Sequence, residues 1–336
     1  MNTDRPLVSL LNGVSFNSYD DESLLSSAHN QNISLEYSCK TGRCGACKAK
    51  VLSGKTELIQ EESYLDTEES SAGYILTCCR LAVTNVELNI ESISGFTKVE
   101  PKTVPCRIDA IEYLSSDVIQ VFLRFPPSIK PKYYAGQYAD IIGKDGLRRS
   151  YSIANLVDDS QRLEFHIKKV ANGKMSFYWF EEAKVNDLLR VELPLGTFFL
   201  RPSQKQSLIL MATGTGIAPI KAILEDLVIS PEKNLYRDIH IYWGGRKSSD
   251  IYWNPKMIIH SLKSSRFIPV LSRGDKSWSG DCGYIQDIVI NDGINLFEAD
   301  VYACGSASMI KSAKTKFVES GLPEHNFYSD AFVSSS

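Results

Sequence analysis

No run of about 18 uncharged apolar residues occurs in this chain, so nothing in it reads as a membrane-spanning helix. The opening Met1-Asn2-Thr3-Asp4-Arg5-Pro6 lacks the basic-then-apolar build of a secretory leader, and the chain is read as cytoplasmic, with no membrane partner. Histidine is scarce, at five residues, and no metal-ligand spacing joins the five; His166 among them is read as a packing or surface group. A basic excess is missing as well. The net charge is −3, which argues against a nucleic-acid partner. Internal repeats and low-complexity tracts are lacking, and Ser334-Ser335-Ser336 reads as a frayed end.

What is present is a globular balance of 43% apolar and 23% charged residues over 336 positions, enough for two or three domains. The charge is uneven. Residues 1–97 carry 13 Asp and Glu against 7 Lys and Arg, or −6, and the remainder carries +3. Such an acidic module offers a complementary surface for docking. Cysteine is uneven too. Five of eight fall in the first 80 residues, as Cys39, Cys44, Cys47 and the adjacent Cys78 and Cys79. Clustered cysteines in a cytosolic chain point to a metal or cluster, not to a disulfide framework.

The hydrophobic pattern changes twice along the chain. Residues 6–18 read as a hairpin, Ser23 to Ala28 as a helix capped by Asp20 and Asp21, and Ile33 to Tyr37, Lys48 to Leu52 and Val86 to Ile90 as strands. Thr97 to Pro105, with two prolines, reads as a linker. Short strands then follow at regular spacing, at 107–113, 118–125, 138–142, 149–153 and 163–170, with one helix at 176–182; this predicts an antiparallel barrel. From Ser207, buried strands at 208–212, 239–243, 267–271 and 300–304 alternate with helices, the first of them at 219–228, which predicts a parallel sheet. The expected domains are 1–97, 104–202 and 203–336, with 98–103 as the linker.

The strongest motif is Cys39-x4-Cys44-x2-Cys47 followed some thirty residues on by the Cys78/Cys79 pair. This is plant-type [2Fe-2S] spacing. Two sulfide-bridged irons need four thiolates, three from one tight loop and one from a distant segment. Gly42, Gly45 and Ala46 suit a loop whose N–H groups approach cluster sulfurs. A structural zinc site fits less well, since zinc ribbons pair two C-x2-C knuckles. The spacing leaves open which of Cys78 and Cys79 is the ligand.

Two further constellations follow. Arg149-Ser150-Tyr151-Ser152 sets a guanidinium, an aromatic ring and a hydroxyl side by side, and some twenty residues on Gly173-Lys174-Met175-Ser176 reads as a turn opening a helix, a natural pyrophosphate site. Thr213-Gly214-Thr215-Gly216 follows a buried strand, with Pro219 suited to the first turn of the next helix; its glycines allow close backbone approach to a nucleotide pyrophosphate. Cys304-Gly305 ends another buried strand, and bare of context Cys304 reads as a core cysteine.

Together these residues resemble the ferredoxin-reductase-like family that carries an N-terminal plant-type [2Fe-2S] ferredoxin domain. The match runs the length of the chain, through ISLEYSCKTGRCGACKAK, GYILTCCR, RRSYSIAN, GTFF, VYACGSASMI and FYSDAFVSS. The resemblance implies a β-grasp ferredoxin-like domain, an antiparallel flavin-binding β-barrel and a C-terminal parallel-sheet nicotinamide domain. It implies Cys39, Cys44, Cys47 and, after Ile75-Leu76-Thr77, Cys78 as cluster ligands. Arg149, Tyr151, Ser152, Gly173, Met175 and Ser176 are expected on FAD, favoured over FMN. Thr213, Gly214, Thr215, Gly216, Cys304 and Gly305 are expected on the nicotinamide nucleotide, and Ser152, Cys304 and Phe332 around the reacting atoms. NADH is expected over NADPH, with Asp250 repelling a 2′-phosphate if it faces the ribose pocket. The longest matches resemble members that serve 3-deoxygenation of nucleotide sugars. These imply a one-electron acceptor partner, a pyridoxamine-phosphate (PMP) dependent sugar-nucleotide dehydrase. The reductase component of a ring-hydroxylating dioxygenase or monooxygenase is the alternative.

Overall fold

The structure, a computed structural model, describes residues 5–156, 161–233, 235–262 and 264–333. The opening residues Met1 to Asp4 and the terminal serines Ser334 to Ser336 lie outside the described residues. The chain divides into two compact units, residues 1–98 with 333–336, and residues 99–332.

The first unit begins with the hairpin of β1 (Leu7–Leu10) and β2 (Ser15–Asn17), followed by α1 (Leu24–Asn30). Then come β3 (Lys48–Ser53), β4 (Thr56–Leu58), α2 (Thr67–Ser71), β5 (Tyr74–Leu76), β6 (Arg80–Ala82) and β7 (Val86–Leu88). Five strands form one sheet in the order β2-β1-β7-β3-β5, with β1 and β7 parallel. Helix α1 buries Leu24, Leu25 and Ala28 against Val8, Leu35, Leu76 and Leu88 from the rest of the unit. Its cap is Ser23, whose Oγ accepts from Ser26 N–H, and not Asp20 or Asp21. Serine one residue before the helix reaches the orphan N–H directly, where the aspartates stand too far upstream. The segment 33–37 is irregular and not a strand, because Asn32 turns through φ 60° and points the chain away from an extended ladder.

The second unit holds two layers. Its barrel comprises β8 (Lys102–Tyr113), β9 (Val118–Arg124), β10 (Tyr138–Ile142), β11 (Arg148–Ser152), β12 (Arg162–Lys168) and β13 (Leu188–Leu195), antiparallel in the order β11-β10-β13-β8-β9-β12. A bridge from Ile153 to Phe165 joins the two edges and closes the sheet. Strand β8 reaches back into the expected linker. Pro105 is tolerated there because it lies opposite Arg190 of β13, while pairing on the other side starts only at Arg107. Between β12 and β13 stands α3 (Lys174–Phe177), continued by a π-helical turn at Tyr178–Glu182.

The remaining strands, β14 (Ser207–Thr213), β15 (Asp238–Gly245), β16 (Ser265–Leu271), β17 (Asp281–Cys282), β18 (Ala299–Ser306) and β19 (Phe327–Phe332), form a wholly parallel sheet ordered β17-β16-β15-β14-β18-β19. Its helices are α4 (Ile217–Ile229), α5 (Lys256–Ser261), α6 (Ile285–Asn291) and α7 (Ala307–Glu319). Central β14 is buried from Ser207 to Ala212, as a parallel strand covered on both faces must be. Helix α4 begins at Ile217, so Pro219 falls at its third position, still inside the first turn where a missing N–H breaks no helical bond. No helix among the described residues is long and apolar enough to cross a membrane.

Candidate redox sites

In the first unit, the loop preceding β3 carries Cys39, Cys44 and Cys47, and the turn after β5 carries Cys78 and Cys79. The loop depends on two glycines. Gly42 has φ +74°, and a Cβ there would fall 2.1 Å from Glu61 O. Gly45 has φ +75°, and a Cβ there would fall 2.3 Å from the Tyr64 ring. The thiols meet in pairs. Cys39 and Cys44 hydrogen-bond one another, and Cys47 Sγ lies 3.3 Å from Cys78 Sγ. The Cys39 thiol is drawn down to about 5 by the Cys44 thiol against its burial, and Cys78 down to about 3 by the Cys47 and Cys79 thiols, while Cys44 and Cys47 are pushed up by those same neighbours.

Two pairs, each with two sulfurs, fit the donor set of a two-iron cluster, where each iron takes two thiolates. N–H groups point at the same sulfurs, with Thr41 N 3.3 Å from Cys39 Sγ and Cys39 N 3.4 Å from Cys44 Sγ. Cys79 is wholly buried behind Cys78, its Sγ 3.5 Å from Cys78 Sγ and 3.5 Å from the Glu61 carbonyl that accepts its S–H.

In the second unit the R-x-Y-S motif forms β11, opposite β10. Tyr151 packs edge-on against Trp179, and its hydroxyl accepts from Trp179 Nε1 at 3.2 Å. Burial pushes that phenol well up, so it stays protonated. The Arg149 guanidinium donates to the Arg148 carbonyl. Gly173 caps α3 with backbone alone. Met175 is buried in the barrel core, and Ser176 Oγ accepts from Val170 N at 2.8 Å. Their side chains thus hold the turn together, and the N–H groups of the first turn of α3 are what it can offer a phosphate.

Beyond β14 the chain turns through Gly214–Gly216 into α4. Gly216 is required by packing, since a Cβ there would fall 2.3 Å from Cys304 O. Gly305, at φ +133°, lets Thr213 approach: its Cβ would fall 2.2 Å from Thr213 Oγ1, which accepts from Ser306 N at 3.0 Å. At Gly214, by contrast, φ is +54° and nothing stands within 4 Å of the Cβ position. The turn is therefore rigid at its base and open at its tip, the shape a pyrophosphate needs.

The expected reacting residues are gathered by one that the sequence reading missed. Asp330, in β19, is nearly fully buried, and its Oδ2 lies 3.4 Å from Ser152 Oγ and 3.9 Å from Cys304 Sγ. Burial and the Asp330 charge push the Cys304 thiol well up, so it is a neutral donor. The signal was an aspartate inside the apolar run Phe327-Tyr328-Ser329-Asp330-Ala331-Phe332. Phe332 is half-exposed at the end of β19, opposite Ser306, and it shares a strand face with Asp330. Asp250 is turned into its own loop, where its Oδ2 accepts from Arg246 N at 2.7 Å and Lys247 N at 3.1 Å. A cavity of about 410 Å³, lined by Tyr252, Trp253, Pro255, Ile259 and Phe267 among others, contains none of the expected site residues.

Comparison with known proteins identifies three domains along the chain. Residues 10–83 match the 2Fe-2S iron-sulfur cluster binding domain, 105–200 the oxidoreductase FAD-binding domain and 210–315 the oxidoreductase NAD-binding domain. Over 326 residues, 96% of this chain and 97% of the relative, the sequence is 40% identical to the CDP-6-deoxy-L-threo-D-glycero-4-hexulose-3-dehydrase reductase of Yersinia pestis. Identity to reductase component 1 of the terephthalate 1,2-dioxygenase of Comamonas sp is lower, 30% over 96% of this chain and 95% of that one. The Amycolatopsis cytochrome P450 reductase GcoB has the same fold, with a TM-score of 0.75 at 24% identity, covering 98% of this chain and 100% of the other. The chain therefore belongs to the family of the CDP-6-deoxy-L-threo-D-glycero-4-hexulose-3-dehydrase reductases, oxidoreductases built from a [2Fe-2S], an FAD-binding and an NAD-binding domain.

Proposed function

We propose that this reductase draws electrons from NADH and delivers them singly to a separate acceptor, a PMP-dependent sugar-nucleotide dehydrase acting on a CDP-4-keto-6-deoxyglucose. The observation that carries the redox half is the convergence of Ser152, Cys304 and Asp330 from the flavin barrel and the nicotinamide sheet. When bound, FAD accepts two electrons as a hydride and releases them one at a time, and the [2Fe-2S] centre carries one. The protein's own part is placement. Arg149 and the first turn of α3 meet flavin phosphates, and Thr213 to Gly216 with Gly305 cradle the nicotinamide nucleotide. Asp330 orients the Ser152 hydroxyl and keeps the Cys304 thiol neutral, so no ionised sulfur stands beside the hydride path. Phe332 covers that site. The cluster ligands are Cys39, Cys44, Cys47 and Cys78. The domain limits we adopt are 1–97, 104–202 and 203–336.

The acceptor half rests on the kinship with dehydrase reductases, an associational argument. It is supported by chemistry in one respect: every strong motif is taken by cluster, flavin or nicotinamide, so sugar chemistry has to occur on another protein. The −6 charge of residues 1–97 favours a salt-sensitive contact there. The clustered cysteines of that unit, at a cluster-ligand spacing and not in a disulfide framework, suit the cytoplasm. The test is reconstitution of the loaded chain with NADH, such a dehydrase and its CDP-sugar substrate. Formation of the 3,6-dideoxy product, slowing as salt rises, is expected. Efficient turnover of a dioxygenase component and none of the dehydrase would replace the acceptor by an oxygenase and leave the redox reading standing.

A further inference from the structure

A buried ionic network joins the barrel to the helix that follows the nucleotide turn. Glu164 and His166, both on β12, are buried. Glu164 Oε1 accepts from Gln120 Nε2 at 2.7 Å and from His166 Nε2 at 2.8 Å. Its Oε2 accepts from Lys221 Nζ of α4 at 2.8 Å, and Lys221 also reaches Glu225 Oε1 at 2.7 Å and the Ala154 carbonyl at 3.0 Å. Ala154 lies two residues past Ser152, and Lys221 lies five residues past Gly216. One ammonium thus grips the continuation of the flavin strand and the helix of the nucleotide turn at once.

The second arm of the network runs to the tip of that turn. A carboxylate only accepts, so Nε2 of His166 bears the proton; in the neutral ring Nδ1 then accepts the Tyr252 hydroxyl at 3.1 Å. The Tyr252 ring packs edge-on to Trp243 at 5.0 Å, and Trp243 Nε1 donates to the Gly214 carbonyl at 2.9 Å. Both ends of the turn, Gly214 and the helix after Gly216, are therefore tied to the same carboxylate on the barrel.

We propose that Glu164, His166, Lys221 and Tyr252 are positioning residues for hydride transfer, fixing the nucleotide turn against the flavin strand. They touch neither substrate nor reacting atoms, and they act through the turn. The inference rests on the redox reading above. It concerns alignment, which matters because small misplacements of reacting atoms lower rates steeply. A network that served only to hold the fold would alter stability and cofactor content, and would leave the chemistry of correctly folded molecules unchanged.

The test uses the full chain loaded with FAD and cluster. In the unaltered chain, NADH-driven ferricyanide reduction must occur; its failure would sink the redox reading itself. In Glu164→Gln, stopped-flow bleaching of the flavin should show a limiting rate lowered by about tenfold or more, with NADH affinity held within about twofold. With NADH deuterated at C4, the isotope effect on steady-state ferricyanide reduction should rise, because the hydride step then limits turnover. Tyr252→Phe removes one hydroxyl and keeps the ring; it should lower the same limiting rate by about threefold or more, and the double variant should fall no further than Glu164→Gln alone. If Glu164→Gln does not fold, Tyr252→Phe alone decides. Variants with full flavin content, an unaltered limiting rate and an unaltered isotope effect would overturn the proposal.

Discussion

Replacing Glu164 by Gln keeps the side chain's size and one acceptor oxygen but removes the charge that Lys221 and His166 face. Burial works to raise this carboxyl, yet the His166 hydrogen bond and the Lys221 charge outweigh it and hold the group at about 2, against an ordinary 4.5. That difference corresponds to about 3 kcal/mol of stability at neutral pH. The sign follows from the depressed folded value. The contribution is complete above about 4.5 and is lost as pH falls toward 2. For a unit of this size, about 3 kcal/mol lowers the melting temperature by roughly 6–12 °C. FAD release, read as a rise in flavin fluorescence, follows unfolding of the second unit without reporting on the first. The gap between the two proteins should be full at pH 7 and smaller by about 1.4 kcal/mol near pH 3.5, where the unfolded carboxyl is already mostly protonated. A gap below about 2 °C at pH 7, or one that does not narrow in acid, would refute the claim that this charge is held by its partners.

Four further outcomes are expected. Cys78→Ser should abolish the cluster's visible absorption and EPR signal while Cys79→Ser leaves both near normal, since Cys79 faces the Glu61 carbonyl; flavin reduction by NADH should survive in each. Asp330→Asn should slow flavin reduction by about tenfold at unchanged flavin content, measured by stopped flow, because Ser152 and Cys304 lose the charge that orders them. Gly305→Ala should raise the KM for NADH by about tenfold, its Cβ driving Thr213 from the base of the turn. The ratio of kcat/KM should favour NADH over NADPH, and Asp250→Asn should not change that ratio, because Asp250 serves its own loop.

The three modules were legible because each is announced by chemistry that needs particular residues close in sequence. Cys39 to Cys47, Arg149 to Ser152 and Thr213 to Gly216 are such runs, and the structure places each in a loop, a strand and a strand-to-helix turn respectively. The residues missed are those whose meaning depends on distant partners. Asp330 has no local motif and becomes informative only when β19 pairs with β18 and sets it beside Cys304. His166 reads in the sequence as a packing or surface group; it is buried, and its bonds to Glu164 on its own strand and to Tyr252 in a loop some ninety residues on carry no local signal. Strand β13 is hard to read in the sequence although Leu189, Val191 and Leu193 alternate inward along it, because Pro194 near its end masks the pattern.

The Glu164–Lys221 contact also bears on how such reductases can be recombined. The change of rhythm near residue 203 invites a cut between flavin and nicotinamide modules, and chimeras of relatives would naturally be spliced there. That splice would separate an acidic residue buried on one side from the base that neutralises it on the other. A hybrid whose donor module lacks a cation at the position of Lys221 would bury an orphan carboxylate, and one with the reverse mismatch would leave Lys221 with Glu225 as its remaining carboxylate beside the backbone carbonyl of residue 154. Exchange of modules should therefore succeed in proportion to agreement at Glu164, His166, Lys221 and Tyr252, and only weakly with overall identity. Restoring these four residues together should rescue a failed hybrid where any one of them alone does not.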